Sequence, residues 1–282
     1  MAEGLGSSLR WNDKKLPKLK EIIEVIEELA PPALAADWDN SGLQVGDPGV
    51  AIRKALVALD PLPEVMLEAR SLGAELVVTH HPLFFRTLKS LDLSFGQGEV
   101  VKEAVGGHIA VYSAHTSLDR VRPGISDGLA AALKLKKVVP VEKADGWPTA
   151  YGFGRIGELP EKLTVGDVAS RLKAELGAKA ARVIGDPERT VGRVAVCGGS
   201  GSDLIEKAYR AGAEAYVTGD VKYHEALKAL ELGVAVIDVG HFHGEIYFMK
   251  TFAGMLEKAF AKKGWKIKVG FSKVEKEPWH LI

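Results

Sequence analysis

The sequence predicts an α/β fold of two similar, interlinked halves with a site in the cleft between them, and three observations carry that prediction. Short apolar, β-branched runs alternate with helical stripes, the order that builds parallel strands covered by helices. A stretch of the first half recurs in the second at a constant offset, the mark of an internal duplication. Histidines gather where those strands end, at the edge where open α/β sheets hold their ligands.

A chain of 282 residues can bury a full core and favours two domains over one. Its 46% apolar and 26% charged residues exclude the disordered and collagen-like classes. Basic and acidic residues balance at 37 each, so no net field attracts nucleic acid or an anionic membrane, and any polyanion site must be local. The single cysteine, Cys197, excludes an internal disulfide and reads as a small buried hydrophobe in a strand. No apolar run reaches the roughly 18 residues of a membrane helix. The polar start from Met1 to Leu9 is unlike a secretory signal. The expectation is a soluble, cytoplasmic protein.

In chain order, Leu16 to Leu29 carries a helical stripe of Leu19, Ile22, Ile23, Val25, Ile26 and Leu29, stopped by Pro31 and Pro32. Asp37 to Gly42 is a turn-rich loop, in which Asp39 and Asn40 read as turn formers of little functional weight. Ala55 to Leu59 is a strand, Glu64 to Ser71 a helix closed by Gly73, and Leu76 to Thr79 a buried strand that runs into His80, His81 and Pro82. On an ideal strand two adjacent side chains face opposite ways, so both imidazoles serve one site only if the backbone turns at His80.

The repeat is read residue by residue. Ala69, Gly73, Ala74, Glu75, Val78 and Thr79 fall on Ala208, Gly212, Ala213, Glu214, Val217 and Thr218, and the strand Ala55 to Leu59 falls on Val194 to Gly198. After a shorter second loop, Gly107 to Asp119 falls on Gly233 to Glu245, which sets His115 on His241 and Asp119 on Glu245. The halves are expected at residues 16–137 and 138–282. Within the second, residues 138–193 form a middle block outside the duplication that extends its sheet, and the C-terminal part packs back on the first half. In that block Tyr151 to Ile156 reads as a strand, Val165 to Leu176 as a helix ended by Gly177, and Arg182 to Ile184 as a strand.

Of the eight histidines, His80, His81, His115, His224, His241 and His243 sit at these strand ends or just beyond. Imidazole with carboxylate and no thiolate is the ligand set of Zn, Fe, Mn or another hydrolytic divalent ion, and the candidates are His80, His81, Asp119, His241 and Glu245. His241 and Glu245 are four apart, on one face of a helix that starts at His241, and the same spacing separates His115 from Asp119. Five ligands exceed the three protein groups of a catalytic zinc, so two ions are expected, acidifying a bridging water for hydrolysis. His115 and His224 then serve as proton carriers or orienters, with Asp220 a weaker candidate. His243, His108 and His280 read as bystanders. Gly198 to Gly201 between a strand and a helix is either a phosphate cradle or a plain tight turn. Lys134, Lys136 and Lys137 read as a solvated face.

Together, Trp38-Asp39-Asn40 with Gly42 to Gly46, Thr79-His80-His81-Pro82, His115-Thr116 with Leu118-Asp119, Gly198 to Gly201, Thr218-Gly219-Asp220 with Tyr223-His224, and Gly240-His241 with Glu245 resemble the Nif3-like family. Its members carry names such as GTP cyclohydrolase 1 type 2 homolog and dinuclear metal centre hexameric protein. The likeness runs from about Leu16 to the end. It implies two similar interlinked α/β domains, a toroidal homohexamer and a two-metal site facing its interior, held by His80, His81, Asp119, His241 and Glu245 with His115 nearby. It also implies the compact form of the family, since residues 138–193 are too few for the domain some relatives insert. Opening of the imidazole ring of GTP is the activity attributed to the family and fits attack by metal-activated water on a purine carbon. The expected function is a metal-dependent hydrolase on a nucleotide or another small molecule. The alternatives are a metal-dependent phosphoester hydrolase on nucleic acid, which needs a basic ring interior, and a metal-binding scaffold or partner-recruiting protein without catalysis, whose site is closed.

Overall fold

The computed structural model of the protein describes residues 16–280; the polar start read at Met1 to Leu9 lies outside them. Helix α1, Leu19–Leu29, buries Leu19, Ile22, Val25 and Ile26 on one face, and Glu21 caps it by accepting the Lys18 amide at 2.7 Å. Then come β1 Gly42–Val45, β2 Lys54–Ala58, α2 Pro63–Leu72, β3 Leu76–Thr79, α3 Gly96–Gly107, β4 Ala110–Ser113, α4 Thr116–Arg120, α5 Ile125–Ala132 and β5 Lys136–Val139. Gly73 ends α2 with φ +64°, a conformation that a side chain disfavours.

The second run is β6 Glu142–Lys143, β7 Gly152–Phe153, β8 Arg155–Thr164, α6 Val165–Leu176, β9 Arg182–Ile184, β10 Thr190–Val196, α7 Ile205–Arg210, β11 Ala215–Thr218, α8 Tyr223–Leu232, β12 Ala235–Asp238, α9 His241–Lys262 and β13 Lys268–Phe271. These strands build a five-stranded sheet ordered β1-β4-β3-β2-β13, a six-stranded sheet ordered β5-β8-β10-β11-β12-β9, and the small pair β6-β7. The α/β class read from the alternation is the class observed.

In each large sheet the central strands pair in parallel with matching register. Ala55 faces Leu76 and Leu76 faces Ala110 in one; Val194 faces Ala215 and Ala215 faces Ala235 in the other. That correspondence is consistent with a duplication. It also refines the repeat by one residue: His115 is the second residue after β4, whereas His241 is the third after β12, with Gly240 as the extra residue at φ +81°.

The expected strand from Tyr151 to Ile156 is broken. Gly154 turns the chain at φ +61°, so Gly152–Phe153 pairs with β6 while Arg155 begins a ten-residue strand. Pro160 lies where the β8–β10 register shifts between Val191 and Arg193, which is how a proline is accommodated inside a strand. Arg155 itself is fully buried, bonded to the Gly152, Gly154 and Val121 carbonyls and paired with Asp127 of α5 at 2.9 Å.

Helix α9 joins the two sheets. It starts at the end of β12, then lays Phe248, Met249, Phe252, Leu256 and Phe260 into the core that the first sheet shares with α1. Gly128 lets α5 approach it, since a Cβ there would lie 3.0 Å from Phe248 Cβ. A second core, around Leu129, Val168, Leu172, Val194 and Val217, fills the space between the six-stranded sheet and α5 and α6. No helix among the described residues is long and apolar enough to cross a membrane.

Candidate metal centre

The backbone turn needed to bring His80 and His81 together is present. Both amides donate to one carbonyl, that of Leu59, at 3.1 and 2.9 Å, and the Thr79 hydroxyl donates to the His81 carbonyl at 2.7 Å. The chain therefore leaves strand geometry after Thr79, and the imidazoles share a side with ring centroids 5.1 Å apart. His115, before α4, and His241, at the start of α9, join them from the ends of β4 and β12; centroid separations are 5.1 Å for His80–His115 and 5.2 Å for His81–His241.

Each of the four rings has its Nδ1 committed. His81 Nδ1 meets Asp60 Oδ1, His115 Nδ1 meets Asp39 Oδ1 and His241 Nδ1 meets Asp220 Oδ2, all at 2.7 Å, and His80 Nδ1 meets the Ala114 carbonyl at 3.0 Å. An acceptor at Nδ1 holds the proton there and turns the Nε2 lone pair toward the centre, the arrangement that supports metal-binding histidines.

Glu245 lies among those lone pairs. Its Oε2 is 3.0 Å from His81 Nε2 and 3.1 Å from His241 Nε2, while its Oε1 is 3.6 Å from His80 Nε2; Asp119 Oδ1 lies 3.7 Å from that same nitrogen. His81 Nε2 and His241 Nε2 are 3.2 Å apart, and as neutral rings with their protons on Nδ1 neither has a hydrogen for the other. His80 Nε2 and Glu245 Oε2 are buried without a hydrogen-bond partner among the described residues. A tetrahedral ion with bonds of about 2.0–2.2 Å holds its ligand atoms roughly 3.3–3.6 Å apart, a spacing close to the separations found here. Nitrogens of His80, His81 and His115 form one group that could hold a metal, and His81, His241 and Glu245 form another.

The electrostatics agree. Burial opposes charge on His81, but Glu245 and Asp60 outweigh it and raise its pKa well above the ordinary value; His80 is raised likewise by Asp119 and Glu245. For His241, burial is again outweighed, by Glu245 and Asp220, and the pKa rises to about 9. Burial pushes the Glu245 carboxyl up, yet His81 and His80 hold it well below the carboxylate range, whereas for Asp119 burial prevails and the pKa is raised. The centre thus draws positive charge into a buried place, as a cation site must.

Asp39, expected as a turn former, holds His115 and Thr116. Its Oδ2 accepts from the Thr116 amide at 3.0 Å, the Thr116 hydroxyl at 2.6 Å and the Ser41 hydroxyl at 2.7 Å. Burial raises its pKa, but these bonds and His115 outweigh it and keep Asp39 ionised far below the usual range. Asp60 carried no signal in the sequence beyond its place after β2. Asp220, at φ +56°, is the orienter of His241. His224 does not join the cluster: it is exposed in the first turn of α8, edge-on to Tyr223. His243 lies 3.6 Å from Glu277, away from the four rings, and His108 and His280 are exposed.

The Gly198 to Gly201 turn is filled from within. A Cβ at Gly199, where φ is +64°, would lie 2.1 Å from Glu245 Oε1, and one at Gly201 would lie 2.6 Å from the Tyr216 hydroxyl. Gly199 makes room for the Glu245 carboxylate and Gly201 for the Tyr216 hydroxyl. Cys197 is buried, and burial pushes its thiol up to about 12, so it contributes no thiolate. Outside the centre, Trp38 and Phe85, 62% and 51% exposed, stand 5.9 and 6.2 Å from His115.

Residues 17–278 match the family described as Duf34/NIF3 (NGG1p interacting factor 3). The GTP cyclohydrolase 1 type 2 homolog of Streptomyces coelicolor is 38% identical over 268 residues, 94% of each chain. The protein of the same name from Clostridium perfringens is 36% identical over 265 residues, covering 94% of this chain and 100% of that one. Among solved structures, a Bacillus cereus protein related to NIF3 superposes with a TM-score of 0.89 at 27% identity, over 95% of this chain and all of that one.

Proposed function

We propose, from the premise that this chain belongs to the Duf34/NIF3 family, that it is a metal-dependent hydrolase with two divalent ions per chain, acting on a nucleotide in the manner the name GTP cyclohydrolase suggests for its relatives. One observation carries the reading: four imidazoles are each fixed through Nδ1, the Nε2 atoms of His80, His81 and His241 face two carboxylates, and Glu245 offers one oxygen to each side. His80, Asp119 and Glu245 Oε1 would hold one ion, with His115 beside them; His81, His241 and Glu245 Oε2 would hold the other. Ions so held would supply Lewis acidity to water near neutral pH and to the carbon that water attacks.

The chain's own groups do the rest. His115, buried on one side and bonded to Asp39, keeps one proton on Nδ1 and has Nε2 available to carry another. Trp38 and Phe85 present apolar ring faces beside it, where a flat substrate can lie. Zn, Fe and Mn all suit the donor set. We also propose that the chain works as a homo-oligomer, a hexamer by its likeness to the family; exposed Leu91, Leu93 and Phe95 between β3 and α3 support such an assembly.

The test is turnover of a nucleotide panel by protein reconstituted with each metal, beside the His81→Ala variant. Metal-dependent consumption of GTP by the parent and none by the variant is expected. Inactivity of the fully loaded parent toward every nucleotide, or equal activity of the variant, would overturn the reading.

A further inference from the structure

The chain after β13 reaches back to the metal centre without supplying a ligand. β2 ends at Ala58 and its parallel neighbour β13 at Phe271, where the Ser272 amide donates to the Val57 carbonyl at 2.8 Å. Beyond those ends a side chain takes over as acceptor. Glu275 Oε1 accepts from the Leu59 amide at 2.9 Å and the Asp60 amide at 2.8 Å, and its Oε2 lies 3.1 Å from the Leu59 nitrogen. Leu59 is buried, so its amide needs that partner. Burial, with Asp60 and Glu68 nearby, raises the Glu275 pKa to about 7 against the pull of the two amides, so this carboxyl group is held in an unfavourable place by its bonds to them. The segment is anchored further on both sides. Glu68 of α2 accepts from the Ser272 hydroxyl at 2.7 Å and the Lys273 amide at 3.2 Å, Val274 packs on the core between the first sheet, α2 and α3, and Glu277 lies beside Gly240 and His243 at the start of α9. Residues 272–277 thus form a strap from the end of β2 to the helix start that carries His241.

Resting on the metal-centre reading above, we propose that Glu275 is a positioning residue: through Leu59 and Asp60 it sets the backbone turn that brings His80 and His81 to one site. The Leu59 carbonyl accepts the amides of both histidines, and the Asp60 carboxylate accepts from His81 Nδ1. The Asp60 amide and the Leu59 carbonyl belong to one planar peptide unit and point in opposite directions, so an acceptor fixed on the one fixes the aim of the other. Without Glu275 that unit is free to rotate, and the shared acceptor of the His80 and His81 amides rotates with it. His80 and His81 lie on different sides of Glu245, near Oε1 and Oε2. Glu275 therefore bears on both ions, whereas the Asp60 carboxylate bears on one.

Competition for Zn²⁺ against a chromogenic chelator and the visible spectrum of Co²⁺-loaded protein test this. Glu275→Ala should weaken both ions roughly 10-fold, the lower end of what outer partners of metal ligands contribute, and shift the Co²⁺ bands. Asp60→Ala should weaken only the ion on His81. Glu275→Gln, whose amide oxygen can take the place of Oε1, should recover most of the loss. Glu275→Asp, whose oxygens fall short by one methylene, should show an intermediate loss and serves where the alanine variant does not fold. Arg155→Ala, a destabilising change elsewhere in the fold, is the control and should leave both affinities and the spectrum as in the parent. Parent-like affinities and spectrum in folded Glu275→Ala protein, a loss confined to one ion, or an equal loss in Arg155→Ala would each overturn the assignment and leave the metal centre standing. Parent protein that binds no ion would overturn the metal-centre reading, and the assignment with it.

Discussion

Replacing Asp60 with alanine isolates the contribution of one orienting carboxylate. Asp60 Oδ1 accepts from His81 Nδ1 at 2.7 Å, and its side chain is 35% exposed. A hydrogen bond to an ionised partner contributes about 1.5–3 kcal/mol, and partial exposure places this one at the low end. Since roughly 1.4 kcal/mol is a factor of ten, the ion held by His81 should bind about 10- to 30-fold more weakly. Water can take the carboxylate's place, so folding stability should change by less than about 1 kcal/mol. Competition against a chromogenic zinc chelator reads the affinity, and urea unfolding reads the stability. Asp60→Asn, whose amide oxygen still accepts the Nδ1 proton, should recover most of the loss. Unchanged affinity in folded Asp60→Ala protein would refute the idea that Nδ1 acceptors prepare the site.

Other perturbations follow from the same geometry. Gly199→Ala sets a Cβ where Glu245 Oε1 lies and forces a side chain into φ +64°, so metal content should fall and stability drop by about 1–2 kcal/mol, read by elemental analysis and thermal unfolding. Arg155→Ala strands Asp127 and three carbonyls, and urea unfolding should show a loss of about 3–5 kcal/mol with metal per folded chain unchanged. In metal-free protein the His241 pKa is raised to about 9 from 6.5. Its contribution to stability is therefore complete below about pH 6.5 and is lost as pH rises toward 9, a decline that bound metal should remove. Metal binding displaces that proton, so affinity should weaken as pH falls below about 9, which chelator competition across pH would show.

The strands that deliver His80, His81, His115 and His241 were legible because each is a short apolar run with a clear end, and strand ends are where such sheets place ligands. The helical spacing of His241 and Glu245 likewise put both on one face of α9. The orienting carboxylates were not legible. Asp39 is 76 residues from the His115 it holds and sits in a loop whose composition reads as a turn; Asp60 precedes its partner by 21 residues with no periodicity linking them. Under the repeat, His81 corresponds to Asp220, so the halves contribute different chemistry at one position and the duplication gives no hint of the acceptors. His224 misled for a related reason: it follows a strand end in sequence, but α8 carries it outward into solvent. The long strand Arg155–Thr164 was hidden by Pro160, since its tolerance depends on a register shift that only the partner strand β10 supplies.

Metal stoichiometry is the most direct measurement of the central claim. Protein saturated with zinc and then dialysed should carry close to two ions per chain. His241→Ala, which strips a ligand from one side of Glu245, should keep one, and Glu245→Ala, which removes the oxygen offered to each side, should keep none. Two ions retained by folded Glu245→Ala protein would contradict the account.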